Sequence, residues 1–119
     1  MKNLIACPAE RAVYFLGGKW KIRILFSLLQ CKKIRFGELK KGLKTITQQM
    51  LSKQLKELEI DGIVNRKVYQ VVPPKVEYSL TEFGLSVMPI LRSFSEWSKK
   101  NTRTIAAKLN KNFEENRIT

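Results

Sequence analysis

The chain has 119 residues, room for one domain with a modest core and too little for two separate cores. Lys and Arg number 23 against 10 Asp and Glu with no His, a formal net charge of +13, and 44% of the residues are apolar. This is the composition of a folded protein with a strongly basic surface, and it excludes a disordered tail.

The N-terminal apolar run Leu4 to Cys7 is too short for a secretory signal, and Glu10 soon follows it. Glu10 to Leu16 reads as a short helix after Cys7-Pro8, stopped by Gly17-Gly18. Trp20 to Leu29 follows, with Ile22, Leu25, Phe26 and Leu29 as its expected buried stripe. Ile34 to Phe36 suits a short strand, and Gly37 to Lys41 a brief third helix with Leu39 inward.

The fourth helix is the most legible. Leu51, Leu55 and Leu58 fall at i, i+4 and i+7, Thr47 is a plausible N-cap and Gly62 ends the element. At about 100° per residue, Gln49, Ser52, Lys53 and Lys56 lie away from the leucines, with no acid among those four.

Period two takes over after Gly62. Val64, Val68 and Val72, then Val76, Tyr78 and Leu80, alternate with polar residues. Pro73-Pro74 cannot sit in a central ladder and mark the tip or shoulder of a hairpin. Its exposed positions include Arg66, Lys67 and Lys75.

Thr81 is expected to cap a last long helix, with Glu82 in its first turn. Phe83, Val87, Ile90, Phe94 and Trp97 form one apolar stripe, with Leu85 and Met88 nearly opposite. Pro89, well inside, should kink this helix. Ile105, Leu109 and Phe113 continue at helical spacing, in a continuation or in a tail helix beginning near Asn101. Phe83 to Leu91, nine residues, is the longest run without charge, far short of the about 20 that a membrane-spanning helix needs.

This order defines a mainly α fold with a small β wing (α+β): a winged helix-turn-helix with added N-terminal and long C-terminal dimerisation helices. The expected organisation is a single domain over 1–119, a winged helix-turn-helix over 7–98 and a helical extension over 99–119. The charge is concentrated in the middle, where residues 19–75 carry 14 basic and 4 acidic side chains, a net of +10. A field of that sign attracts polyanions, of which nucleic acid is the commonest.

Enzymatic function is not expected. No His is present for a triad or metal site, and neither a Walker-type lysine loop nor a dinucleotide-binding glycine fingerprint occurs. Two cysteines, Cys7 and Cys31, make neither a disulfide framework nor a zinc cluster. No cofactor, metal or membrane partner is expected, and the localisation implied is cytoplasmic. The acids Glu57, Glu59 and Asp61 are accounted for by solvation or by pairing with Lys53 and Lys56.

Several segments resemble a known family in order and spacing. They are Cys7-Pro8-Ala9-Glu10, Gly17-Gly18-Lys19-Trp20, Arg35-Phe36-Gly37-Glu38-Leu39, Met50-Leu51-Ser52-Lys53-Gln54-Leu55-Lys56-Glu57-Leu58-Glu59, Asp61-Gly62, and Val72-Pro73-Pro74-Lys75-Val76-Glu77-Tyr78-Ser79-Leu80-Thr81-Glu82-Phe83-Gly84. Together they are similar to the HxlR-type winged-helix transcriptional regulators, relatives of the MarR group. Gln70-Val71 departs from the Pro-Glu often found ahead of the paired prolines. The resemblance implies a dimeric repressor or activator that binds a double-stranded operator. It places the recognition helix at Thr47 to Glu59 and the wing at Val64 to Leu80. The alternatives are a basic ribosome- or RNA-associated winged domain, or a protein-interaction module.

The expected base-reading residues are Gln49, Ser52 and Lys53, because Gln pairs bidentately with adenine and Lys donates to guanine. Lys40, Lys41, Lys44, Thr47, Gln48, Lys56, Arg66, Lys67 and Lys75 are expected on the phosphate backbone. Ala12, Val13, Leu16, Leu85, Met88, Ile105, Leu109 and Phe113 are the candidates for a two-fold seam. Cys7 is the candidate redox switch. It precedes the first helix, where terminal N–H groups and the neighbouring Lys2 and Arg11 place positive charge near the sulfur. It also falls at the position used by thiol-sensing members of the resembled family. The expected oxidant or small-molecule effector has no identity in the sequence, and Cys31 is expected to be a buried packing residue.

Overall fold

The computed structural model describes residues 7–118, with side chains as far as residue 110. The chain divides into two compact units between Ser86 and Val87.

The first unit holds α1 (Pro8–Leu16), α2 (Lys19–Gln30), β1 (Ile34–Arg35), α3 (Phe36–Leu43), α4 (Gln48–Ile60), β2 (Val64–Tyr69), β3 (Lys75–Leu80) and α5 (Glu82–Leu85). Pro8 opens α1, where a missing N–H costs nothing. The three strands form one antiparallel sheet in the order β1-β3-β2. β3 is therefore the middle strand, with Glu77 opposite both Arg35 and Lys67, and Tyr69 opposite Lys75. Residues 70–74 make the wing tip, as the two prolines indicated.

The core of this unit is Ile24, Leu25 and Leu28 of α2, Leu39 of α3, the three leucines of α4, and Ile63 and Val64. Burying one such side chain fully is worth about 1.5–3 kcal/mol. The apolar stripe of α2 differs from the expected one. Lys21, Ile24, Leu25 and Leu28 are buried, while Ile22, Phe26 and Leu29 are half-buried. Apolar residues run almost all round this helix, so spacing alone does not select its inward face. A salt bridge does part of that selection: the Lys21 ammonium lies 2.8 Å from the Glu57 carboxylate and ties α2 to α4.

Close packing joins the wing base to α5. The Thr81 hydroxyl donates to the Gly62 carbonyl at 2.6 Å, with the Ile63 carbonyl at 3.1 Å, and accepts from the Gly84 N–H at 2.9 Å. A Cβ on Gly84 would collide with the Ile63 carbonyl oxygen, so this crossing requires glycine.

The second unit holds α6 (Met88–Lys100) and α7 (Thr102–Ile118). Here the single kinked helix expected from Thr81 onward is corrected. Ser86 caps α5, and Pro89 lies in the first turn of α6, where it starts a helix instead of bending one. Asn101 separates α6 from α7, its side-chain amide donating to the Trp97 carbonyl at 2.8 Å. The restart changes which residues face inward. Val87, Met88 and Leu91 are buried, whereas Phe83, Ile90, Phe94 and Trp97 of the expected stripe are exposed. No helix among the described residues is long and apolar enough to cross a membrane.

Candidate functional site

α4 holds its polar face outward for reasons visible in its sequence. The Thr47 hydroxyl accepts from the Met50 N–H at 3.1 Å, which fixes where the helix starts. Leu51, Leu55 and Leu58 are buried beneath it. Gln48, Gln49, Ser52, Lys53 and Lys56 are consequently exposed together with Thr47. Lys41 and Lys44, before α4, are exposed as well, and Lys40 is half-buried.

The structure divides the wing cations. Neighbouring residues of a strand point to opposite faces, so Arg66 parts from Lys67. Arg66 joins Ser52, Lys56, Glu59 and Tyr78 around an open cleft between α4 and the sheet. The Lys67 ammonium instead stands 4.9 Å from the centre of the Tyr69 ring, and the Lys75 ammonium stands at the same distance from it. Lys75 also pairs with Glu77 at 3.4 Å. Of the three wing cations expected to be exposed, Arg66 and Lys67 are, on opposite faces, whereas Lys75 is half-buried because it lies against Tyr69 and pairs with Glu77, which corrects its expected exposure. The proximity of Glu77 and Tyr69 to these cations depends on the hairpin register, which spacing alone does not give.

Two carboxyl groups sit below the usual carboxylate range. A hydrogen bond from Lys21 holds Glu57 down against the opposing effect of burial, with further help from the Lys21 and Lys53 charges. Glu77 is lowered by a hydrogen bond from Tyr69, then by Lys75, with Lys33 adding its charge. The expected pairing of Glu57 with Lys53 or Lys56 is corrected, because its ion-pair partner is Lys21.

Of the residues expected on a seam between copies, Val13, Leu85 and Leu109 are exposed, and Ala12 and Ile105 are half-buried. Leu16 and Met88 are buried within the chain and are withdrawn from that set, because α1 turns Leu16 inward and the restart at Pro89 does the same for Met88. The Phe113 side chain lies outside the described residues. Tyr14, Ile90, Phe94 and Trp97 are exposed apolar side chains that had not been placed there. Both Cys7 and Cys31 are free and exposed. Cys31 caps the end of α2 and does not fill the core, which corrects its expected burial.

Comparison with known proteins adds independent findings. The family model described as HxlR-like helix-turn-helix matches residues 15–106. The chain is 50% identical over 101 residues to the uncharacterized HTH-type transcriptional regulator BH0655 of Halalkalibacterium halodurans, covering 85% of this chain and 89% of that protein. It is 50% identical over 99 residues to the uncharacterized HTH-type transcriptional regulator YybR of Bacillus subtilis, covering 83% and 78%. Among solved structures, the redox regulator HypR in its reduced form superposes with a TM-score of 0.80 at 46% identity, covering 85% of this chain and 99% of that one.

Proposed function

The chain belongs to the HxlR-like helix-turn-helix family of transcriptional regulators, and from that premise we propose that it recognises a specific double-stranded DNA operator as a two-fold symmetric homodimer. The observation that carries this reading is the outward face of α4, which presents an amide, a hydroxyl and an ammonium at Gln49, Ser52 and Lys53 above a buried leucine face. In a major groove these groups read base edges. Thr47, Gln48, Lys56, Lys40, Lys41 and Lys44 lie at the start of or before the helix, or along its flank, and serve the phosphates, with Arg66, Lys67 and Lys75 from the wing.

Binding curves on an operator duplex and a scrambled duplex test the assignment. Gln49→Ala is expected to cost about 1–3 kcal/mol on the operator and almost nothing on the scrambled DNA. Equal loss on both would remove Gln49 from the base-reading set.

The homodimer is supported by exposed apolar side chains on the terminal helices: Val13 and Tyr14 of α1, Ile90, Phe94 and Trp97 of α6, and Leu109 of α7. Two-fold pairing would set recognition helices at half-sites about 34–36 Å apart, one turn of DNA.

A redox response through Cys7 is a second reading, favoured by that thiol's exposure at the N-cap of α1 and by the likeness to a redox regulator. In this reading two Cys7 thiols of a dimer give up two protons and two electrons to an oxidant such as diamide, which is reduced to its hydrazine, and join as a disulfide. Cys7→Ser should abolish oxidant-dependent change in operator binding while leaving reduced-state affinity unchanged, and Cys31→Ser should keep the response. An oxidant effect that survives in Cys7→Ser defeats it.

A further inference from the structure

Glu77 stands at the centre of a cationic face. Its cross-strand neighbours are Arg35 in β1 and Lys67 in β2, and directly opposed residues of antiparallel strands share one face of the sheet. Lys75, two residues earlier on β3, is on that face too and pairs with Glu77. The ring of Tyr69 receives both the Lys67 and the Lys75 ammonium groups. Arg66 is turned the other way, toward the cleft beside α4.

One carboxylate cannot satisfy three cations. A single opposite-charge pair across the strands would suffice to favour this register. Here the carboxylate is paired with Lys75 alone, while Arg35 and Lys67 share its face by register without pairing with it and keep unspent positive charge. Their sign matches that of the whole segment 19–75. A two-stranded ribbon that enters a DNA groove offers one face to each wall, and both walls are phosphate.

We propose that Glu77 restrains phosphate binding by this outer face of the wing, which lies against the strand opposite the one met by Arg66. Glu77 occupies Lys75 in the free protein and repels a backbone that approaches Arg35 or Lys67. Phosphates must displace it to engage the face. Glu77 thereby lowers affinity for every duplex, and lowers it most where no well-seated recognition helix holds the backbone in place. This inference rests on the DNA-binding reading given above.

Salt titration of binding to operator and scrambled duplexes tests it. Glu77→Gln keeps the side-chain shape and removes the charge. It should raise scrambled-duplex affinity about three- to fivefold and steepen the slope of log K against log salt by about 0.9, the release expected from one added phosphate contact. The operator-to-scrambled ratio should fall. Glu82→Gln, which removes one exposed carboxylate elsewhere, should do neither, and Lys75→Ala placed in the Glu77→Gln background should cancel the gain.

An unchanged or shallower slope in Glu77→Gln overturns the inference while leaving DNA binding by the wild type intact. So does an equal gain from Glu82→Gln, or a gain that survives Lys75→Ala. Polyglutamate competing as well as scrambled duplex would reassign the face to an acidic protein. A wild type that binds neither duplex removes the underlying reading and this one together. Thermal melting checks the fold, and if Glu77→Gln is unfolded, Glu77→Thr, which removes the same charge with a residue suited to a strand, supplies the same test.

Discussion

Among the described residues, Lys21 is the one charged side chain buried in the core, and the Glu57 carboxylate reaches it at 2.8 Å. The Glu57 side chain is 40% exposed, so solvent screens the pair and its net worth is modest, about 1 kcal/mol. Its pH dependence has a definite sign. The Glu57 carboxyl is held below its ordinary value of 4.5 in the folded protein, so the pair's contribution is complete above that value. It is lost as pH falls through the lower, folded-state value. Glu57→Gln should therefore lower stability by about 1 kcal/mol near neutral pH. The gap to the wild type should close on acidification, as denaturant melts at a series of pH values would show. A gap that stays constant down to the acid limb would mean that the Lys21 pair contributes nothing. Sequence alone could not find this pair, because Lys21 and Glu57 are far apart along the chain and Lys53 and Lys56 offered nearer partners.

Elements were legible where one face was clean. α4 is polar on one side and leucine on the other, so its start, its end and its outward residues could all be read from spacing. α2 is apolar nearly all round, and its inward face is decided by neighbours that the sequence does not display. Pro89 shows a different limit: the same residue that breaks a helix interior is welcome in a first turn, and a break after Leu85 settles which applies. The wing is legible from alternation and the paired prolines, and period two separates Arg66 from Lys67, but the half-burial of Lys75 against Tyr69 depends on a register that alternation does not display. The joint between wing and α5 makes a sharp prediction. Gly84→Ala drives a methyl into the Ile63 carbonyl, where backbone cannot yield cheaply. A loss of about 1–3 kcal/mol is expected in urea unfolding, and a melt unchanged from wild type would show that α5 shifts freely.

At the scale of the whole molecule, the exposed apolar side chains of α6 matter most. Phe94 is 51% and Trp97 64% accessible, and large aromatics carry a disproportionate share of association energy when an interface covers them. Trp97→Glu should convert the proposed homodimer to a 13.8 kDa species in sedimentation at micromolar protein, while melting of the isolated chain changes little. A wild type that sediments only at that mass would defeat the dimer itself. The outward face of α4 has another property that bears on how such a molecule changes over time. The side chains of Gln49, Ser52 and Lys53 make no hydrogen bond or ion pair to other described residues, and substitutions at such positions usually alter stability by no more than about 0.5 kcal/mol. On the proposed DNA-reading role of this face, foldability and address are stored in separate letters of the sequence, and a lineage drifts to a new operator through substitutions that leave the leucines beneath unchanged.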